Sequence, residues 1–122
     1  MGSFVYPITL RGPQGEITLE ALVDTGATYT WIPRPILERL GVTPIGKEPF
    51  SVADGRVVDY EIGAVTARID GKERPTLAIF GDPDTEPLIG VFTLEGFLMA
   101  ADPVNQTLIP VTGRLKRANP TP

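Results

Sequence analysis

Ala21-Leu22-Val23-Asp24-Thr25-Gly26-Ala27 is the stretch on which the reading of this chain turns. Before it, Ile17, Leu19, Ala21 and Val23 alternate with Thr18 and Glu20, the period of a strand with one apolar face. An acidic residue at the end of such a strand is costly to bury unless it is paired or neutralised. Here it is followed by small residues, which permit a sharp turn and let another backbone come close. The bland reading is a strand-ending turn with Asp and Gly present for backbone reasons. A chance Asp-Thr-Gly in a chain of this length has a probability of roughly a few per cent by average usage, so context decides.

Outward from that turn the chain reads as short segments, punctuated by 13 glycines and 13 prolines. Phe4 to Leu10 reads as a strand, and Gly12-Pro13-Gln14-Gly15 as the turn into the alternating strand. Pro35 suits a first helical position, Ile36, Leu37 and Leu40 form an apolar stripe, and Gly41 suits the position past the helix end. Asp54-Gly55 lies between the runs Phe50 to Ala53 and Val57 to Ile62, a strong hairpin signal. A second hairpin, Ala64 to Ile69 with Thr76 to Phe80, turns at Asp70-Gly71. Gly81 to Pro87 is a polar loop before the apolar Leu88-Ile89-Gly90. Thr93 to Phe97 is read as a helical turn, and Leu98 to Ala101 is expected to pair with Thr107 to Val111 around Asn105-Gln106. No internal repeat is found. The expectation is one domain over residues 1–113 and a disordered C-terminal tail over 114–122.

Composition narrows the chemistry. The chain has 122 residues, 42% hydrophobic and 21% charged, enough for one core. Its net charge of −4 argues against a nucleic-acid partner. The basic cluster Arg114, Lys116 and Arg117 sits in a Pro-rich tail and reads as solvated. No apolar run is long enough for a membrane helix, so no membrane partner is expected. Met1-Gly2-Ser3-Phe4 has no basic n-region or apolar h-region, so no signal peptide and a cytoplasmic location are expected. With no cysteine and no histidine, thiol and Ser-His nucleophiles and the usual zinc hydrolase sites are excluded. Asp82, Asp84 and Glu86 do not follow a calcium-loop spacing around Pro83 and Pro87, so no metal is expected, and no cofactor.

Carboxylates therefore carry whatever acid-base chemistry exists. Hydrolysis of an amide needs a base to take a proton from water and an acid to protonate the carbonyl or leaving amine. One carboxylate cannot be both at once, whereas two sharing a proton can, because like charges about 3 Å apart do not both ionise.

From Phe4 to Ile109 the sequence resembles the retropepsin-like, single-lobed aspartic proteases, closer to their bacterial and cellular members. The resemblance rests on Leu22-Val23-Asp24-Thr25-Gly26-Ala27 and on Leu88-Ile89-Gly90. It implies a mostly β fold, a single-lobed closed acid-protease-type β-barrel with one or two short helices, acting as a two-fold homodimer on a peptide or protein substrate. It also implies catalytic roles for Asp24, Thr25 and Gly26: Asp24 as one half of a dyad, Thr25 as a hydroxyl bracing the dyad across the dimer, Gly26 offering its carbonyl to substrate. Ala27, Thr28, Ala53, Asp54, Gly55 and Arg56 are the substrate-binding candidates, the last four as the tip of a closing flap. Departures are Thr28 in place of an acidic residue, Val91 in place of an arginine, Trp31 in place of a smaller residue, and a flap tip without a glycine run. The alternative is a catalytically weak or inactive interaction module on the same fold. Trp31 is read as a core or interface residue, Tyr60 as a sheet residue or equally a flap anchor, and Glu95 as a solvated helix-end charge.

Overall fold

The computed structural model describes residues 3–113 and 115. The expected tail, 114–122, lies outside them except for Leu115. The chain runs β1 (Phe4–Gly12), β2 (Gly15–Val23), β3 (Thr30–Pro33), α1 (Arg34–Arg39), β4 (Pro44–Ser51), β5 (Val57–Ile69), β6 (Lys72–Gly81), β7 (Leu88–Ile89), α2 (Val91–Gly96), β8 (Met99–Asp102) and β9 (Thr107–Pro110).

Seven strands form one sheet in the order β1-β2-β7-β3-β6-β5-β4, and β1 also pairs with β5, which closes the first six into a barrel. The closing pairs are Thr9 with Arg68, Leu10 with Ala67 and Arg11 with Thr66. The alternation in β2 points Ala21 and Val23 fully inward, while Ile17 and Leu19 pack against the edge of the same core. They meet Ile8 and Leu10 of β1, Ile32 of β3, Val65, Ala67 and Ile69 of β5, and Phe80 of β6. Each fully buried Val, Leu, Ile or Phe among them contributes about 1.5–3 kcal/mol through burial. The helix α1 caps one end with Leu37 and Leu40. Its C-terminal carbonyls are satisfied as the Pro35 and Gly41 signals predict: the Gly41 N–H donates to Glu38 and the Val42 N–H to Leu37.

Three local readings change. Thr30–Pro33, unassigned in the sequence, is a strand, because it finds partners far along the chain: β6 in parallel and β7 antiparallel. Val57–Ile62 and Ala64–Ile69, read as separate strands, are one 13-residue strand. Gly63 continues the ladder, paired with Pro44 on one side and Ala78 on the other, and a side chain there would run into Phe80 and Val42 at 2.9 Å. The first arm of the Asp54-Gly55 hairpin begins at Pro44, earlier than the apolar run, because an edge strand tolerates its prolines. The last hairpin forms as expected but separately, β8 against β9 in a two-stranded sheet.

Candidate active site

The apolar alternation of β2 carries the chain to Asp24 and stops there. The Gly26 N–H donates to Asp24 Oδ1 at 2.9 Å, and the Ala27 N–H donates to the Asp24 carbonyl at 3.0 Å. The turn thus folds back on its own carboxylate, as short polar side chains do. β7 then locks it from below. It pairs in parallel with β2, and the Asp24 N–H donates to the Ile89 carbonyl at 3.0 Å. Past Gly90, the Val91 and Phe92 N–H groups donate to the carbonyls of Ala27 and Thr28, each at 2.9 Å. Gly90 is obligatory in this crossing: a Cβ would lie 2.5 Å from the Tyr29 carbonyl carbon.

Beneath the turn lies a buried hydroxyl chain that sequence reasoning missed. Thr30 and Thr93 oxygens are 2.6 Å apart, Thr93 and Thr76 2.8 Å, and the Gly90 N–H donates to Thr30 Oγ1 at 3.2 Å. All three threonines are at most 5% exposed, and each hydroxyl has a partner, as burial of a polar group requires. The chain ties β3, β6 and α2 together and reaches the turn through the Gly90 N–H, next to Ile89, whose carbonyl accepts the Asp24 N–H.

Asp24 is half-buried at the floor of a cleft of about 690 Å³. Gly26, Ala27 and Thr28 share the floor with it. Tyr29, Trp31, Ile79 and Leu88 form the walls, with Thr85 and Glu86 at one rim. The walls follow from strand register, since Trp31 sits opposite both Ile79 and Leu88. Tyr29 and Trp31 flank the inward-facing Thr30, so both reach the cleft.

The β4–β5 hairpin roofs the cleft through Phe50, Ser51, Val52 and Ala53. Its tip closes with the Gly55 N–H donating to the Val52 carbonyl and the Val52 N–H to that of Arg56, with Gly55 at φ 89°. Of the expected tip residues, Ala53 lines the cleft, whereas Asp54, Gly55 and Arg56 are exposed at the far end of the hairpin. Arg56 closes onto Asp54 there at 2.7 Å. The Arg56 backbone N–H, and then its guanidinium, hold the Asp54 carboxyl below its usual value. The turn geometry places the roofing face one step before the Asp-Gly pair. Thr25 is exposed and does not line the cleft.

Aromatic contacts join roof to walls. Tyr29 meets Phe50 edge-on at 6.0 Å and Phe92 at 5.4 Å, and Trp31 meets Tyr60 edge-on at 4.9 Å. The Tyr60 hydroxyl donates to Asp82 at 3.0 Å. Burial first, and that hydrogen bond second, push the Tyr60 hydroxyl up, which keeps it a donor. Trp31 Nε1 donates to Thr85 Oγ1 at 2.7 Å, and Thr85 in turn donates to the Asp82 carbonyl. Trp31, read as core or interface, is thus a cleft wall, and Tyr60 supports it from the base of the hairpin. Among the described residues no three metal-ligating side chains converge.

Residues 7–91, which contain the acidic turn, the hairpin and the β7 crossing, match the sequence profile of a family described as aspartyl protease. The chain belongs to the aspartyl protease family. Solved structures of the same fold include EIAV protease complexed with the inhibitor HBY-793, at 18% identity, with 79% of this chain and 88% of that one covered and a TM-score of 0.58. The retroviral protease-like domain of Ddi1 from Leishmania major matches at 21% identity, with 88% of each chain covered and a TM-score of 0.55. Simian foamy virus (mac) protease matches at 20%, covering 73% of this chain and 91% of that one, with a TM-score of 0.52. At such identities the likeness is one of fold. No curated protein sequence matches the chain. The mostly β, single-lobed barrel of this aspartyl protease-family chain is therefore of the retropepsin type, as the Asp-Thr-Gly and Leu-Ile-Gly segments imply.

Proposed function

We propose that the chain is an aspartic endopeptidase whose active site is completed by a second copy of itself. The observation that carries this reading is one acidic turn, braced from behind, at the floor of a roofed cleft. Such a site holds half of the acid-base pair that amide hydrolysis requires. A two-fold axis beside the turn brings residue 24 next to its own copy, which is what a self-complementary interface does. Thr25, exposed on the isolated chain, is then the hydroxyl that braces the pair across the axis.

In this mechanism one Asp24 carboxylate takes a proton from a water held between the two. The water oxygen bonds to the substrate carbonyl carbon while the partner's carboxylic acid gives its proton to the carbonyl oxygen. The resulting gem-diol collapses as a proton passes to the amide nitrogen and the C–N bond breaks. The Gly26 carbonyl and the roofing segment 50–53 hold the peptide extended, and closure of the hairpin excludes water.

Subunit mixing tests the shared site. Asp24→Asn removes the carboxylate at nearly constant size, and activity is expected to fall roughly 10³-fold or more while dimers persist. When equal amounts of wild type and Asp24→Asn exchange subunits, about a quarter of dimers keep two aspartates, so activity per total dimer falls to about a quarter of that of an all-wild-type sample at the same total concentration. A residual near one half, with exchange confirmed independently, excludes the two-chain site.

A further inference from the structure

We propose that Glu86 is a specificity-determining residue that selects substrates carrying a basic side chain near the scissile bond. The proposal rests on the endopeptidase reading and adds a substrate class to it. Glu86 lies two residues before Leu88 and lines the cleft with it, while Ile89 points into the core. Leu88 and Ile89 alternate as residues of β7, and Glu86 comes to the cleft beside Thr85 from the loop that precedes it. From residue 86 to residue 89, whose carbonyl accepts the Asp24 N–H, is about 10 Å of extended chain, which a bound peptide spans in about three residues. Glu86 therefore faces a side chain close to the bond being cut.

The surroundings specify the chemistry. Of the described residues that line the cleft, the charged ones are Asp24 and Glu86, both acidic. Glu86 has no ion-pair partner among the described residues, whereas Arg56 pairs with Asp54, and Arg34 with Glu38 and Glu61. Its loop neighbour Asp82 accepts from Tyr60. The wall leading to Glu86 is Trp31, Ile79 and Leu88, and the polar edge of Trp31 is already spent on Thr85. A long aliphatic stem fits along that wall and places a cationic head at the carboxylate, the arrangement of lysine and arginine side chains. Glu86 is exposed at the rim of the cleft, where a facing acidic side chain is repelled and a basic one attracted by the modest amount typical of solvated pairs.

The test uses peptide pairs identical except for lysine, norleucine or glutamate at one position, scanned through about four residues on each side of the scissile bond. Each is made in a cleavable form and as a non-hydrolysable reduced amide. At one position on each side of the scissile bond, as two-fold symmetry requires, the wild-type dimer is expected to favour lysine over norleucine roughly fivefold, in kcat/KM and in reduced-amide Kd, and to disfavour glutamate. Glu86→Gln brings the lysine-to-norleucine ratio close to one, Glu86→Lys inverts the preference toward glutamate, and raising the salt narrows the wild-type ratio. Cleavage with no lysine preference at any position, or with a preference that survives in Glu86→Gln, overturns the role of Glu86 alone. Binding with a Glu86-dependent preference but no cleavage upholds Glu86 and overturns the endopeptidase reading instead.

Discussion

The floor and the roof of the cleft are built on opposite principles. The floor turn is fastened by backbone bonds to β7 and α2, and a buried threonine chain stands behind it. The roof is a two-stranded arm whose tip is exposed and braced by a solvated Asp54–Arg56 pair. An exposed pair of this kind contributes little to stability, while buried, mutually satisfied polar groups make a unique and rigid arrangement. A floor that holds its carboxylate in place needs no reorganisation during chemistry. A roof that admits a polypeptide has to open, and such elements come from the least stable parts of a fold.

The contrast breaks most severely at Gly90. Gly90→Ala places a methyl 2.5 Å from the Tyr29 carbonyl carbon and 2.9 Å from the Thr28 oxygen, and neither backbone can yield without moving the acidic turn. The expected cost is about 3 kcal/mol, near the top of the overpacking range, and a Tm lower by roughly 10 °C. A Tm within about 2 °C of wild type would show that the floor is softer than its bonding implies.

At the roof the comparable substitution is Gly55→Val. Here space is no obstacle, since nothing lies within 4 Å of the added Cβ, but φ of 89° strains a β-branched residue. The cost is about 1–2 kcal/mol. The fold survives, and kcat falls while KM rises as the roof closes less well. Circular dichroism and steady-state kinetics check both halves, and global unfolding would make this hairpin a structural element of the barrel.

The smallest effect concerns the exposed pair. Asp54 is held below its usual value in the folded chain, so its contribution is fully present above the unfolded value of about 3.9 and is lost as pH falls through the lower folded value. The Tm of wild type should exceed that of Asp54→Asn slightly at pH 6, and the gap should close as the acid side is approached. A gap that widens toward low pH would reverse the sign assigned to the pair.

Much of the floor was legible because it is local. Asp24-Thr25-Gly26, the strand before it and the Leu88-Ile89-Gly90 segment announce themselves within a few residues, as do the Asp54-Gly55 and Asp70-Gly71 turns. The roof was legible in kind but displaced in detail. The Asp-Gly signal marks where the chain reverses, and the residues facing the cleft precede it, at 50–53 rather than 53–56. Tyr29 and Trp31 carried a faint signal, two aromatics straddling Thr30, but alternation alone does not say which face looks onto a cleft. The threonine chain carried none. Thr30, Thr76 and Thr93 are ordinary residues in sequence and become a network because β3, β6 and α2 converge.

By itself the sequence determined the strand-rich architecture, the position of the acidic turn, the helix limits around Pro35 and Gly41, and the absence of thiol and imidazole chemistry. These follow from dihedral preferences, apolar period and side-chain inventory, which act over a few neighbouring residues. The tertiary structure decided the rest: that Thr30–Pro33 is a strand, that Trp31 is a wall, that Glu86 faces the same cleft as Asp24, and that three distant hydroxyls brace the turn. Those properties depend on how elements far apart in the chain pair, and one residue of slip in β3 would turn Thr30 and Trp31 to the opposite faces.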